Sequence, residues 1–176
     1  MGLTAVVLAA GFSRRFGSPK QLFEIDGEPL VRRAARVALA VAPAVVVIPR
    51  NALAIREALR DLEVDLVEND EADEGIASSI RAGVRSCEGD VLLTLCDQPG
   101  VTAAHLQNLI DTGAPIAASA YEGTLGVPAL FNSMYRHELL ALRGDAGAKA
   151  LLAMHAAEVR MVPLADGVDI DWPTRG

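Results

Sequence analysis

Short apolar runs alternate with longer amphipathic segments along most of the chain. The first run, at 3–9, is continuously apolar, which is typical of a strand buried on both faces of a parallel sheet. The segments between such runs place apolar residues at helical spacing. Because strands and helices alternate, the pattern predicts right-handed crossovers and an α/β fold with a doubly wound, mostly parallel sheet between two helical layers.

The predicted elements cover the chain from residue 3 to residue 164. Short polar side chains can accept a hydrogen bond from the first turn of a helix, so Asn51, Thr102 and Asp145 are the expected N-caps. The strands are predicted at 3–9, 44–48, 64–67, 90–95, 115–120, 127–131 and 159–164. The helices are predicted at 30–42, 51–60, 74–86, 102–110, 133–142 and 145–156.

Composition narrows the class of protein. The 176 residues, 51% of them hydrophobic, predict one domain over 1–176 with a sizeable core. A net charge of −7 argues against nucleic-acid binding. The longest apolar stretch, 34–48, is interrupted by Arg36 and Pro43, so no membrane span is predicted. Cys87 and Cys96 lack metal-ligand spacing and read as buried thiols of a cytoplasmic protein.

The loop after the first strand carries the densest group of small and cationic residues. Gly11 and Gly17 let main-chain N–H groups approach an anion, and Arg14, Arg15 and Lys20 would neutralise it. The spacing is neither that of a Walker A loop nor that of a dinucleotide-binding Gly-x-Gly-x-x-Gly. The loop therefore predicts a polyphosphate site, against the alternative of a surface turn with scattered charges.

Acidic residues supply candidate metal ligands. Asp97 follows the strand at 90–95, so it should lie at the same sheet edge as the first loop, where Mg²⁺ could bind one carboxylate and substrate phosphates. A turn aspartate before Pro99 is the alternative. On a strand, Asp169 and Asp171 would share a face, which is equally consistent with a second metal ligand and with a solvated acidic terminus.

The segment at 68–75 is longer than a connection requires, and loops of that kind are usually functional. It leads into Ser78 and Ser79 near the start of a predicted helix. Their hydroxyls would either cap this helix or bind the base or sugar of a nucleotide.

Five ordered motifs together resemble the MobA-like nucleotidyltransferases, specifically the molybdenum cofactor cytidylyltransferase branch. The resemblance covers nearly the whole chain. The motifs are Leu8-Ala9-Ala10-Gly11-x-Ser13-x-Arg15-x-Gly17-x-Pro19-Lys20-Gln21-Leu22, Asn69 with Gly75 and Ser78-Ser79-Ile80, Cys96-Asp97-Gln98-Pro99, Gly126-Val127-Pro128-Ala129-Leu130-Phe131, and Gly144-Asp145-x-Gly147-Ala148.

The resemblance implies a Rossmann-like nucleotidyltransferase fold and a role for each matching residue. Asp97 would bind magnesium, with Asp169 and Asp171 as candidates for a second ligand. The implied catalytic residues are Lys20, Arg14, Arg15 and Asp97. The implied nucleotide-binding residues are Leu8, Ala9, Ala10, Gly11, Ser13, Gly17, Lys20, Asn69, Ser78 and Ser79. The implied acceptor-binding residues are Gln98, Gly126, Pro128, Gly144, Asp145 and Gly147.

The implied reaction is Mg²⁺-dependent transfer of CMP from CTP to the phosphate of molybdopterin, with release of pyrophosphate. Ala10 favours CTP, because the guanylyl branch of the family carries glycine there. A molybdoenzyme or its maturation factor is the expected protein partner. The family's acidic residues after Pro173 are replaced by Thr174 and Arg175. The alternatives are another acceptor, such as a sugar or polyol phosphate, and a non-catalytic carrier of the cofactor.

Overall fold

The computed structural model describes residues 2–11 and 19–165, and nine strands and six α-helices lie in these two ranges. The strands are β1 (Leu3–Leu8), β2 (Glu24–Ile25), β3 (Glu28–Pro29), β4 (Ala44–Pro49), β5 (Asp65–Asn69), β6 (Asp90–Leu95), β7 (Ile116–Tyr121), β8 (Thr124–Phe131) and β9 (Val159–Pro163). The helices are α1 (Leu30–Leu39), α2 (Leu53–Leu59), α3 (Ile76–Arg85), α4 (Ala103–Asp111), α5 (Arg136–Ala141) and α6 (Ala148–Met154).

Seven strands form one sheet in the order β5-β4-β1-β6-β8-β7-β9. Strands β5, β4, β1 and β6 are parallel, and β9 is parallel to β7. Strand β8 runs antiparallel to both of its neighbours, with Leu93 of β6 opposite Ala129. The predicted mostly parallel α/β sheet is thus confirmed. Because β8 is reversed, its first residues lie at the edge where the parallel strands end.

Helices cover both faces of the sheet, because successive residues of a strand point to opposite faces. Ala5 and Val7 of β1 belong to a core cluster that includes apolar residues of α1, α2 and α4. Val6 and Leu8 belong to a second cluster, which includes residues of α3, α5 and α6. Each of these four residues is at most 5% exposed, so β1 lies at the centre of a three-layer molecule.

Only one of the three predicted N-caps is confirmed. The Thr102 hydroxyl accepts a hydrogen bond from the His105 amide at 3.1 Å. The prediction for Asn51 is wrong: this residue has a φ of 56°, and α2 begins two residues later without a side-chain cap. Asp145 is not a cap either, because α6 begins after Gly147.

Two further differences concern short elements. The hairpin of β2 and β3 lies between the predicted strand at 3–9 and the predicted helix at 30–42, and its two-residue strands are too short to show an alternating pattern. Strand β8 begins three residues before its predicted start at 127, with Gly126 inside it.

Cys96 is buried and Cys87 is half-buried, and neither forms a disulfide. The prediction of a buried thiol is therefore confirmed for Cys96 and is wrong for Cys87, which is partly exposed. Among the described residues, no helix is long and apolar enough to cross a bilayer.

Candidate active site

A cleft of about 410 Å³ opens at the sheet edge where β1, β5 and β6 end. It is formed by the segment after β1, the turn beginning at Lys20, the connection from β5 to α3, and the first residues after β6. The lining residues are Leu8, Ala9, Ala10, Gly11, Lys20, Gln21, Ala72, Asp73, Gly75, Ile76, Ser79, Leu95, Cys96, Asp97 and Asp145. Ligands of doubly wound sheets bind at this edge.

One side of the cleft is the main chain of residues 8–11. The Ala9 amide donates to the Val47 carbonyl at 2.8 Å, which continues the β1–β4 ladder. The Gln21 amide then donates to the carbonyls of Ala9 and Gly11, at 2.8 and 3.0 Å. Gln21 is 4% exposed. It holds the start of the predicted phosphate loop from beneath, a role that sequence reasoning did not assign to it.

Lys20 and Asp97 meet in the cleft. The Lys20 Nζ atom lies 2.7 Å from the Asp97 Oδ2 atom, and both side chains are mostly shielded from solvent. Lys20 begins a short 3-10 turn that closes the first loop, and Asp97 follows β6 by two residues. The prediction that the first loop and Asp97 share one sheet edge is thus confirmed.

Asn69, Ser78 and Ser79 form a buried polar network at the end of β5. The Asn69 Nδ2 group donates to both serine hydroxyls at 2.9 Å, and its Oδ1 atom accepts from the Glu71 amide at 3.0 Å. The Ser78 hydroxyl donates to the Gly75 carbonyl at 2.7 Å. Only Ser79 also lines the cleft. Asn69 and Ser78 therefore fix the shape of the connection that leads into α3.

The opposite side of the cleft joins two segments that are far apart in the sequence. Gly75 has a φ of +123°, and a Cβ at this position would lie 2.5 Å from the Gly144 carbonyl oxygen and would clash with the Asp145 carboxylate. The Ala77 amide donates to the Gly144 carbonyl at 3.1 Å. Glycine at position 75 thus allows residues 144 and 145 to approach the start of α3, and Asp145 faces the cleft as a result.

The buried side chain of Arg81 links the connection before α3 to the segment that precedes Gly144. Its Nη1 group donates to the Leu142 carbonyl at 2.7 Å, and its Nη2 group binds the Glu74 carboxylate. The Arg81 side chain is 5% exposed. The hydrogen bond from Arg81 lowers the pKa of Glu74, so this carboxylate remains ionised in the ion pair.

The predicted acceptor residues lie beside the cleft, and of these only Asp145 is among its lining residues. Gln98 is 4% exposed, and its amide donates to the Val127 carbonyl at 3.2 Å, next to the cis peptide bond of Pro128. A Cβ on Gly126 would lie 2.7 Å from the Tyr121 hydroxyl oxygen. The start of β8 is thus packed against the residue that follows Asp97.

Six predicted site residues lie outside the described ranges: Ser13, Arg14, Arg15, Gly17, Asp169 and Asp171. Within 2–11 and 19–165, no three His, Cys, Asp or Glu side chains come together in a way that could hold a metal ion. Of the three predicted metal ligands, Asp97 is the one that lies in the described ranges, and an ion bound there would need oxygen ligands from the substrate as well.

The sequence of residues 5–159 matches the MobA-like NTP transferase domain. The chain belongs to this family. It is therefore a nucleotidyltransferase, and nucleotidyltransferases of this kind generally use a divalent metal ion.

Two curated proteins are similar to this chain in sequence. The purine catabolism protein PucB of Bacillus subtilis is 29% identical over 85% of this chain and 80% of its own length. A probable molybdenum cofactor guanylyltransferase of Synechococcus elongatus is 31% identical over 61% of this chain and 56% of its own length.

Solved structures agree with the MobA-like fold. Rv0371c of Mycobacterium tuberculosis superposes with a TM-score of 0.84 at 29% identity, over 98% of this chain and 93% of that one. Its manganese complex gives a TM-score of 0.82 at 28% identity, over 99% and 94%. A nucleotidyl transferase from Methanothermobacter gives 0.79 at 26% identity, over 96% and 89%.

Proposed function

We propose that this protein transfers CMP from CTP to the terminal phosphate of molybdopterin and releases pyrophosphate. The observation that carries the proposal is the meeting of Lys20 and Asp97 in the cleft, beside the Gly11 loop. A cation for phosphate oxygens and a carboxylate for a metal ion are what transfer of a nucleotidyl group requires, and no covalent nucleophile is needed.

In the proposed reaction, an oxygen of the acceptor phosphate forms a bond to the α-phosphorus of CTP while the bond to the bridging oxygen of pyrophosphate breaks. The main chain of residues 8–11 receives the base and ribose. Lys20 neutralises negative charge on the triphosphate, together with Arg14 and Arg15. These side chains lower the barrier because charge on the phosphoryl oxygens must be balanced throughout the transfer.

Asp97 is the proposed ligand of Mg²⁺. A single carboxylate suits this ion, which keeps most of its coordination sphere for phosphate oxygens and water. Once bound, the ion would supply Lewis-acid stabilisation of the phosphates. Asp169 and Asp171 remain the proposed second ligands.

The proposal also specifies the base of the nucleotide and the acceptor. Ala10 supports CTP, since it is 1% exposed and lines the cleft at the position where the family resemblance separates cytidylyl from guanylyl enzymes. Three relatives named as probable guanylyltransferases make GTP the competing base. Gly126, Pro128, Gly144, Asp145, Gly147 and Gln98 are the proposed acceptor side, with a molybdoenzyme or its maturation factor as the partner that receives the product.

The test is a panel of CTP, GTP, ATP and UTP against molybdopterin, sugar phosphates and polyol phosphates, with release of pyrophosphate as the readout. The proposal expects the highest rate with CTP and molybdopterin in Mg²⁺. A preference for GTP would overturn the choice of base, and a preference for a sugar phosphate the choice of acceptor. Cofactor binding without pyrophosphate would indicate a carrier.

Two other predictions belong to this proposal. Two cysteines without a disulfide suit a reducing compartment, so we place the protein in the cytoplasm. Residues 1–176 are proposed to act as one nucleotidyltransferase domain.

A further inference from the structure

The segment that carries Asp97 connects β6 to α4 and is bound to other parts of the protein. Between β6 and α4, the Cys96 amide donates to the Leu8 carbonyl at 3.2 Å, and the Val101 amide donates to the Gln98 carbonyl at 3.1 Å. Side chains from other elements reach this segment as well.

Arg33 of α1 reaches it from one side. The Nε and Nη2 groups of Arg33 both donate to the Pro99 carbonyl, at 3.1 and 2.9 Å. Hydrogen bonds from a charged donor are stronger than those between neutral groups, and two donors on one acceptor also fix its direction. The main chain two residues after Asp97 is thereby attached to α1.

Arg33 differs from the neighbouring arginines of α1 in the kind of group that its side chain binds. Arg32 pairs with the Asp61 carboxylate, and Arg36 pairs with Glu28 at 2.9 and 3.0 Å. Arg33 makes no ion pair within 4 Å with any residue of the described ranges. Its guanidinium is directed to a carbonyl of the candidate metal-binding segment.

Gln98 holds the same segment from the other side. Its buried amide donates to the Val127 carbonyl of β8 at 3.2 Å and to the Tyr121 hydroxyl at 3.4 Å. Asp97 therefore precedes two consecutive residues, one anchored through its side chain and one through its carbonyl. A shift of Asp97 would therefore require a movement of α1 or β8, or the loss of one of these hydrogen bonds.

We propose that Arg33 is a positioning residue for Asp97: by holding the Pro99 carbonyl it fixes the carboxylate where a divalent cation can bind together with the triphosphate. This inference rests on the proposed metal role of Asp97. Arg33 is not among the residues that line the cleft, so it would act on the proposed metal site through the main chain and not by contact with a substrate.

The test compares Arg33→Met with Arg36→Met, an equal change one turn further along α1. The readout is the Mn²⁺ concentration that gives half-maximal binding, in equilibrium dialysis, of the triphosphate that the wild type binds most tightly. Arg33→Met should raise this concentration roughly tenfold, as loss of an outer support of a metal site does, and Arg36→Met should leave it within about twofold. Arg33→Lys, which keeps the charge and one donor, should recover part of the loss.

A purely structural role for Arg33 would lower the melting temperature and leave the Mn²⁺ requirement of Arg33→Met equal to that of Arg36→Met, and this result would overturn the inference. If Arg33→Met does not fold, Arg33→Lys provides the same comparison with a smaller shift. Asp97→Asn tests the metal role of Asp97 separately from the positioning role of Arg33. If this variant does not change the Mn²⁺ requirement, the metal role of Asp97 is wrong. If Asp97→Asn changes it and both Arg33 variants do not, only the positioning role is wrong.

Discussion

In the structure, Lys20 pairs with Asp97, the residue that is proposed to bind the metal ion. Lys20 and the metal ion would therefore compete for the same carboxylate. The Lys20 ammonium lies 2.7 Å from a carboxylate oxygen that a metal ion would use. Lys20→Met should therefore bind Mn²⁺ alone roughly fivefold more tightly, a gain of about 1 kcal/mol, and bind the triphosphate more weakly. Electron paramagnetic resonance measures the first affinity and equilibrium dialysis the second.

The charge-matched control is Lys149→Met, which removes an exposed lysine. It should change neither affinity by more than about twofold. A loss of both affinities in Lys20→Met would contradict the competition, because the lysine would then support the metal site and not oppose it.

Gln21 gives a prediction that concerns stability as well as binding. In Gln21→Leu the carbonyls of Ala9 and Gly11 lose their buried donor, which should lower the free energy of unfolding by about 1–3 kcal/mol. The triphosphate should also bind more weakly, because these residues form one side of the cleft. Gln107→Leu is the matched control, since the Gln107 amide binds Asp111 at the surface. Equal urea midpoints for the two variants would contradict this role.

The residues that could be identified from the sequence are those whose charged side chains directly indicate their chemistry. Lys20 and Asp97 could be placed at one sheet edge, because each follows a recognisable strand. Gln21, Arg33 and Arg81 could not be given their roles, because their partners are main-chain carbonyls of distant segments. A carbonyl is the same at every position, so the sequence carries no signal for such a contact.

At the scale of elements, α3 lies very close to the sheet. A Cβ on Gly83 would overlap the Val6 side chain and lie 3.1 Å from the Val47 Cγ2 atom. Gly83→Ala should therefore destabilise the protein by about 1–3 kcal/mol, although alanine favours helix by about 1 kcal/mol over glycine. Chemical denaturation measures the change.

The double variant Gly83→Ala with Val6→Ala provides the check. It removes the Val6 methyl group that the new Cβ would overlap, so its free energy of unfolding should exceed the value expected from adding the two single changes. Strict additivity would mean that the helix shifts freely, contrary to close packing of α3 on β1.

The contact between α4 and β7 should make the stability of the protein depend on pH. The His105 Nε2 atom lies 2.8 Å from the Ser119 hydroxyl, which donates to the Pro128 carbonyl, so the neutral imidazole must be the donor. Burial lowers the pKa of His105 below its ordinary value of 6.5. The unfolded chain therefore binds the proton more readily, and stability should fall as the pH drops below about 6.5.

His105→Gln keeps an N–H donor without this titration. Its free energy of unfolding should decline less between pH 7 and pH 5 than that of the wild type, as measured by urea denaturation at each pH. All other titratable side chains are the same in both proteins, so the difference between the two pH profiles reports on position 105. Parallel pH profiles would contradict the assignment.

Element order was predictable, whereas strand direction and helix starts were only partly so. Periodicity identifies β8 as a strand but does not tell which way it runs, and its reversal brings Val127 to Gln98. Asn51 and Asp145 are good capping types, yet Asn51 adopts a positive φ and Asp145 packs at Gly75. Tertiary contacts, which local patterns do not contain, decide both cases.

For the whole molecule, ligand binding should appear as added stability. A triphosphate with Mg²⁺ at about 100 times its dissociation constant should add about 2.7 kcal/mol to the free energy of unfolding. For a chain of this size that is a rise of about 5–11 °C in melting temperature. Differential scanning fluorimetry measures it. In Asp97→Asn the part that depends on Mg²⁺ should disappear, and an unchanged rise would contradict the proposed metal ligand.

The reversed strand also divides the sheet into two halves, each continuous in sequence. Strands β1, β4, β5 and β6 come from residues 3–95 and β7, β8 and β9 from 116–163, and the two groups pair only through β6 and β8. Three residue pairs, from Val91 with Phe131 to Leu93 with Ala129, define that junction. The molecule is therefore suited to chimeras. A C-terminal half from another family member needs to match this ladder, the contacts that α3 makes with α5 and residues 142–145, and the contacts of Gln98 and His105 with β8 and β7. Such a chimera would exchange the proposed acceptor residues of the C-terminal half while the proposed nucleotide side is kept.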